Sequence, residues 1–144
     1  MSSRKILVVE DIPETLAGTI AQLEELGLSI ACAGNVVGAK EYLRRGKYDV
    51  IILDWRLPEH SDDTNVNDTA GEILLGNLRA GKYGKQNQYT PVIAVTAQRS
   101  VVDTKKVNKL GGCLGVVYKL YPDEMIKLLE ELYGEEWRVQ REVK

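Results

Sequence analysis

The sequence contains no phenylalanine, a single histidine and two cysteines among its 144 residues. Leucine, isoleucine, valine, tyrosine and two tryptophans must therefore fill the core. Cys32 and Cys113 lie far apart and form no CxxC pair, and their neighbours are small or apolar. These surroundings favour buried free thiols in a reducing compartment. A disulfide between the two cysteines is the less favoured alternative.

The sequence also lacks a long hydrophobic run. The apolar segment 6–9 near the N-terminus is too short for a signal peptide or a membrane span, and no other segment is longer. We therefore expect a cytoplasmic protein without a membrane partner. The net charge is only −2, so there is no general attraction to nucleic acid, and no DNA-binding motif occurs.

Length and composition indicate one soluble globular domain. The chain is 44% hydrophobic and 28% charged, and 144 residues suit a single core. No internal repeat, low-complexity tract or clear domain boundary is present. The highly charged residues 135–144 are expected to extend the last helix or to begin a linker.

Short apolar segments alternate with helical patterns five times along the chain. The predicted strands cover residues 6–9, 28–33, 49–53, 91–95 and 116–118. The predicted helices cover residues 16–26, 36–43, 71–78, 101–110 and 125–132. This alternation predicts an α/β fold, a doubly wound parallel sheet with helices on both faces. Strands such as Ile6–Val9 show no polar alternation, as expected where both faces are covered.

Polar residues follow four of the five predicted strands. Glu10 and Asp11 follow the first strand, Asp54 the third, Thr96 the fourth and Lys119 the fifth. The carboxyl ends of parallel strands share one edge of the sheet, and ligands bind there where the strand order reverses. For the order 2-1-3-4-5 that point lies between strands 1 and 3, which carry the three acids.

The three acids predict a metal site. Carboxylates in one crevice repel each other unless a cation lies among them. Few protein ligands completed by water molecules are typical of Mg²⁺, and the absence of His and Cys from the cluster argues against Zn²⁺.

Each of these residues also has an ordinary structural interpretation. Glu10 and Asp11 could be acids favoured at a helix N-terminus. Asp54 could pair with Lys119, which could otherwise be a solvated surface lysine. Thr96 could be a turn residue. Their joint placement at one sheet edge favours the functional interpretation.

Together these residues resemble the receiver domain of two-component response regulators over roughly residues 5–132. The matching pieces are VVED at Glu10–Asp11, ILDWRLP around Asp54, VTA at Thr96 and VVYK at Lys119. Each piece is weak alone, but all four in order are specific. The resemblance implies a five-stranded parallel sheet of order 2-1-3-4-5. It implies a receiver domain over residues 1–134, with a long loop at 58–71 and a tail at 135–144.

The resemblance also implies a role for each site residue. Asp54 would be the phosphoacceptor, attacking a phosphohistidine of a sensor histidine kinase or phosphotransfer protein. Glu10 and Asp11 would hold Mg²⁺ together with Asp54 and the backbone carbonyl of Arg56. A surface role and a site-tuning role for the Arg56 side chain both remain open.

The remaining site residues would act on the phosphoryl group. Lys119 would pair with one phosphoryl oxygen, and Thr96 would donate its hydroxyl to another and swing inward. The modified state would switch binding to an effector domain or protein. The chain is therefore expected to be a signalling protein rather than an enzyme, although receivers catalyse their own phosphorylation and dephosphorylation. The resemblance leaves a homodimer open.

The sequence departs from the family pattern near Lys119. Leu120 replaces the usual proline, and Val116 replaces the usual switch aromatic. These departures motivate an alternative, a receiver-fold interaction module with a weakened or absent phospho-switch. A small phosphatase using Asp54 is a third hypothesis, but EDIP does not supply the DxD motif that it needs.

Overall fold

The computed structural model describes residues 4–60, 69–96, 105, 113–118 and 122–133. The strands are β1 (Lys5–Val9), β2 (Ser29–Ala33), β3 (Val50–Asp54), β4 (Val92–Thr96) and β5 (Gly115–Tyr118). The helices are α1 (Ala17–Glu25), α2 (Val36–Arg45), α3 (Ala70–Arg79) and α4 (Pro122–Tyr133), and a 3-10 turn, Pro13–Leu16, precedes α1. Of the helix predicted over 101–110, the structure describes residue 105 alone, which is helical, and the rest of that prediction lies outside the described residues.

The five strands form one parallel sheet in the order β2-β1-β3-β4-β5. This order confirms the predicted doubly wound fold. Between β1 and β3 the register pairs Val9 with Leu53, and between β3 and β4 it pairs Asp54 with Val95. The carboxyl ends of the three central strands are therefore level.

Helices cover both faces of this sheet. One face joins Leu7, Val9, Ile51 and Leu53 to side chains of α2 and α3. The other face carries the alternate strand residues and packs on α1 and α4. Each fully buried Leu, Ile or Val contributes about 1.5–3 kcal/mol relative to an exposed one. Burial of successive residues on opposite faces explains why the strands show no polar alternation.

Local signals set the helix ends near their predicted positions. Asn35 Oδ1 accepts the Gly38 N–H at 2.7 Å, which caps α2. The chain leaves α1 through Gly27, whose φ of 88° lies in the left-handed region that glycine adopts without strain. At Gly46 the backbone is extended instead, with φ −127°.

The residues after β3 are tied to the start of α2. The N–H groups of Val36 and Val37 donate to the carbonyls of Pro58 and Glu59 at 3.0 and 3.1 Å. Lys40 and Glu59 add an ion pair at 3.8 Å. The first turn of α2 thus has its amide donors satisfied, and the start of the segment 58–71 is fixed. Residues 61–68 of this segment lie outside the described part.

The predicted turn-rich connection between α3 and β4 contains a buried amide. Asn87 Nδ2 donates to the carbonyls of Leu43 and Gly46 at 2.9 and 2.6 Å, and Oδ1 accepts the Tyr48 N–H at 3.0 Å. Asn87 has no exposed surface. This side chain therefore satisfies carbonyls at the end of α2 from a different part of the chain.

The expected burial of Cys32 was wrong. Cys32 is exposed, because β2 is an edge strand with fewer neighbours to cover it. Cys113 is partly buried, both thiols are free, and burial raises the pKa of Cys113. In α3, Leu74, Leu75 and Leu78 form the buried face, and Ile73 is 53% exposed.

Among the described residues, no helix has both the length and the apolar character required to cross a membrane.

Candidate functional site

Two acids follow β1 directly. Glu10 is buried, and its N–H donates to the Ala33 carbonyl at 2.9 Å, which extends the pairing of β1 with β2 by one residue. Its Oε1 accepts the Ile12 N–H at 3.2 Å. Asp11 is partly exposed. The first acid is thus held inside the protein, while the second lies at the surface of the crevice.

Asp54 is the last residue of β3, and it is 1% exposed. The Arg56 N–H donates to Asp54 Oδ1 at 3.3 Å. The Arg56 side chain is exposed. The backbone N–H of Arg56 therefore restrains the Asp54 carboxylate.

The three predicted acids form one cluster. Glu10, Asp11 and Asp54 each offer a carboxylate oxygen, and these oxygens all lie within 4.8 Å of one another. This proximity follows from the topology, because β1 and β3 are neighbours and Val9 is the register partner of Leu53. Residues distant in sequence are thus brought to one point of the sheet edge.

The cluster fits a hard divalent cation. Its donors are carboxylate oxygens only, and two of the three residues are buried, unlike an ordinary group of solvated surface acids. Each Mg²⁺–oxygen bond is about 2.1 Å long, so two ligand oxygens lie at most about 4.2 Å apart. Adjacent ligands of one octahedral ion lie only about 3 Å apart, so the three carboxylates would move closer together around a bound ion.

Thr96 and Lys119 were predicted to lie at the same edge. Thr96 is the last residue of β4, is 2% exposed, and directly follows Val95, the register partner of Asp54. Lys119 lies outside the described residues and stays a prediction. The residue before it, Tyr118, is the register partner of Thr96, so β5 ends at this edge as well.

Trp55 is a packing residue beside the site. It is 2% exposed and belongs to the core cluster on the α2 and α3 face. Its N–H donates to the Val95 carbonyl at 3.2 Å, which continues the pairing of β3 with β4 beyond Asp54.

Sequence reasoning missed one residue behind the site. Gly71, expected only to mark a helix start, donates its N–H to the Trp55 carbonyl at 3.0 Å. A Cβ at position 71 would lie 2.7 Å from Trp55 Cα and 2.9 Å from the Asp54 carbonyl oxygen. A glycine inside a helical pattern is a signal of such close backbone contact, but it does not name the partner.

Comparison with known families gives one match over most of the chain. The model of the response regulator receiver domain matches residues 6–130. The matched range contains every residue of the acidic cluster.

Individual proteins agree with this match. Hybrid signal transduction histidine kinase B of Dictyostelium discoideum is 29% identical over 107 residues, 74% of this chain but only 5% of the relative. The receiver domain of a Francisella response regulator is 27% identical with a TM-score of 0.66, covering 91% of this chain and 97% of that one.

A third similar protein is the receiver domain of a sensor histidine kinase from Pseudomonas aeruginosa. It is 25% identical with a TM-score of 0.70, and the alignment covers 92% of this chain and 98% of that one. That structure has a magnesium ion coordinated in its active-site cleft.

Proposed function

We propose, since the chain belongs to the response regulator receiver domain family, that Asp54 is the phosphoacceptor of a two-component signalling switch. The observation that carries the proposal is the approach of the Glu10, Asp11 and Asp54 carboxylates to within 4.8 Å at one sheet edge. Asp54 lies at the centre of that edge, at the end of β3, between β1 and β4.

The reaction is nucleophilic catalysis by a carboxylate. An Asp54 oxygen attacks the phosphorus of a phosphohistidine. The new O–P bond forms as the P–N bond breaks, and the electron pair leaves with the imidazole nitrogen, which takes up a proton. The hydrogen bond from the Arg56 N–H restrains the Asp54 carboxylate, which reduces the orientational freedom lost on reaction.

Glu10, Asp11, Asp54 and the backbone carbonyl of Arg56 are the proposed Mg²⁺ ligands. When bound there, Mg²⁺ stabilises the negative charge of the transferring phosphoryl group. The cluster of three carboxylates supports this assignment, as does the magnesium ion in the active-site cleft of the similar Pseudomonas aeruginosa domain.

Thr96 and Lys119 are the proposed contacts of the transferred phosphoryl group. Thr96 would donate its hydroxyl to one oxygen, and Lys119 would pair with another as a point charge. The position of Thr96 supports its part of the proposal, because it ends β4 directly after Val95, the register partner of Asp54.

The proposed partners are a sensor histidine kinase or phosphotransfer protein as donor and an effector domain or protein as recipient of the signal. The chain spans only 5% of the Dictyostelium histidine kinase that it matches. The partners of that kinase are therefore those of a much longer protein. The product of the reaction is the modified domain itself, which makes the protein a signalling module.

Phosphoryl uptake tests the assignment of Asp54. We expect the purified protein to gain the mass of one phosphoryl group on incubation with acetyl phosphate and Mg²⁺, measured by intact-protein mass spectrometry. Asp54→Asn should lose this gain, because an amide is a poor nucleophile. Asp123→Asn, an exposed acid on α4, is the matched control and should react like the wild type.

Two results would contradict the assignment. Equal uptake by Asp54→Asn would place the phosphoacceptor elsewhere. No uptake by the wild type, under conditions where a similar receiver reacts, would favour an interaction module without a phospho-switch.

A further inference from the structure

Gly71 lies directly against the backbone of the proposed phosphoacceptor. A Cβ added there would lie 2.7 Å from Trp55 Cα, 2.9 Å from the Asp54 carbonyl oxygen and 2.9 Å from Trp55 Cε3. Real Cβ atoms essentially never come this close to other heavy atoms. Two of the three contacts are with main-chain atoms, so no change of rotamer would relieve them.

Helix propensity does not explain a glycine at this position. Gly71 is the second residue of α3, and alanine is a better helix former than glycine. Its φ does not lie in the left-handed region that requires glycine. Close approach of α3 to the end of β3 is the remaining structural reason for a residue without a side chain.

Hydrogen bonds fix the peptide groups around Asp54 from three directions. The Trp55 N–H donates to Val95 in β4, and the Trp55 carbonyl accepts the Gly71 N–H of α3 at 3.0 Å. The Arg56 N–H donates to Asp54 Oδ1. A shift of α3 therefore acts on the peptide units that carry the phosphoacceptor and the proposed metal-binding carbonyl of Arg56.

The other acids of the cluster lie on a different element. Glu10 and Asp11 follow β1, which has its own pairing with β2 and β3. A change at position 71 would displace Asp54 relative to these two acids rather than move the cluster as a whole. Misplacement of a reacting group by about 1 Å can lower a rate about 10²-fold.

We propose that Gly71 is a positioning residue for the phosphoacceptor. Its missing side chain lets the first turn of α3 hydrogen-bond to the Trp55 carbonyl, and this contact sets the place of Asp54 opposite Glu10 and Asp11. The proposal rests on the assignment of Asp54 as phosphoacceptor.

Gly71→Ala tests the proposal with two readouts. These are the rate of phosphorylation by acetyl phosphate at saturating Mg²⁺ and the Mg²⁺ affinity measured by calorimetry. We expect the rate to fall at least tenfold and the affinity to weaken. The double variant Gly18→Ala/Gly71→Ala separates these effects from stability, because a Cβ at Gly18 in α1 meets nothing within 4 Å and should stabilise the helix.

Gly115→Ala is the matched control, because Gly115 is also a glycine with little space for a Cβ atom. A Cβ there would lie 2.9 Å from Leu128 Cδ1, which is the end of a flexible side chain, and β5 is two strands away from β3. Its phosphorylation rate should stay within twofold of the wild type even if its melting temperature changes.

The possible outcomes are distinct. A double variant with wild-type rate and affinity would overturn the proposal. So would a double variant that cannot fold, because Gly71 would then act in folding rather than in positioning. If the wild type takes up no phosphoryl group, the proposed function fails. The Mg²⁺ affinity alone then decides whether Gly71 positions Asp54 within the acidic cluster. Weaker affinity in the Gly71 variants then supports positioning of the acidic cluster, and unchanged affinity refutes it.

Discussion

At the residue scale, the acidic cluster combines burial with like charge. Glu10 and Asp54 are each 1% exposed, and with Asp11 their oxygens lie within 4.8 Å. Removing carboxylates from water is costly, and placing them together adds repulsion. A site of this kind makes the metal-free fold less stable, and the same uncompensated negative charge gives it affinity for a cation.

Glu10→Gln should therefore make the metal-free protein more stable than the wild type. It should also reduce the stabilisation that added Mg²⁺ gives. Glutamine keeps an oxygen that can accept the Ile12 N–H, so the hydrogen bond seen for Glu10 is retained. Two like charges 4–5 Å apart repel each other by on the order of 1–4 kcal/mol, depending on the effective dielectric constant. We expect a gain of about 1 kcal/mol in the free energy of unfolding without metal, measured by urea denaturation.

The same titration with Mg²⁺ completes this test. Mg²⁺ should stabilise the wild type more than Glu10→Gln, because binding to the folded state adds to stability by mass action. Glu14→Gln removes an exposed acid four residues on and serves as control. Identical Mg²⁺ responses of Glu10→Gln and the wild type would exclude Glu10 as a ligand.

At the element scale, α2 and the connection from α3 to β4 are joined by side-chain amides. Gln86 Nε2 donates to the carbonyls of Leu43 and Arg44 at 2.9 and 3.0 Å, beside the buried bonds of Asn87. Carbonyls at a helix end otherwise lack intrahelical donors. The end of α2 is therefore completed by residues about forty positions later in the chain, at the amino edge of the sheet and away from the acids.

Asn87→Ala should destabilise the domain without disturbing the proposed chemistry. It would leave the Gly46 carbonyl and the Tyr48 N–H without Asn87, at about 1–3 kcal/mol for each unsatisfied group, while the Leu43 carbonyl keeps its hydrogen bond from Gln86. We expect a loss of about 3 kcal/mol in urea denaturation. Gln86→Ala should cost less, because Gln86 is exposed.

Phosphoryl uptake gives the counter-test for this prediction. Under conditions where Asn87→Ala is folded, its uptake from acetyl phosphate should match the wild type. A selective loss of uptake at unchanged stability would mean that this connection takes part in the reaction.

At the scale of the whole molecule, the sheet carries one hydrophobic cluster on each of its two covered faces. Residues of α1 and α4 cover one face of the sheet, and those of α2 and α3 cover the other. The family match ends at residue 130, within α4. The described strands and helices that form these layers all lie before residue 134.

A chain ending at residue 134 should accordingly fold and react like the full sequence. We expect its melting temperature to stay within about 4 °C, since 1 kcal/mol shifts the midpoint of a domain of this size by roughly 2–8 °C. Differential scanning calorimetry and phosphoryl uptake check this. A large loss of stability would show that the charged tail belongs to the domain.

The sequence by itself determined the order of the elements and the identity of the acids. Unbroken apolar segments such as Ile51–Leu53 indicated strands covered on both faces, and Asn35 and Gly27 marked helix ends. Glu10, Asp11 and Asp54 could be grouped in advance because parallel strands share one carboxyl edge. These signals are local, so they can be recognised without knowing which parts of the chain meet.

Only the tertiary structure decided which distant groups come into contact. Asn87 completing α2, Gly71 lying against Trp55, and the exposure of Cys32 all depend on neighbours from other elements. Glycine and asparagine occur in many different surroundings, so the sequence alone does not identify their neighbours. Hydrophobic periodicity does not reveal which helix covers an edge strand. Packing of the elements selects one set of neighbours, and that set positions the Asp54 backbone behind the acidic cluster.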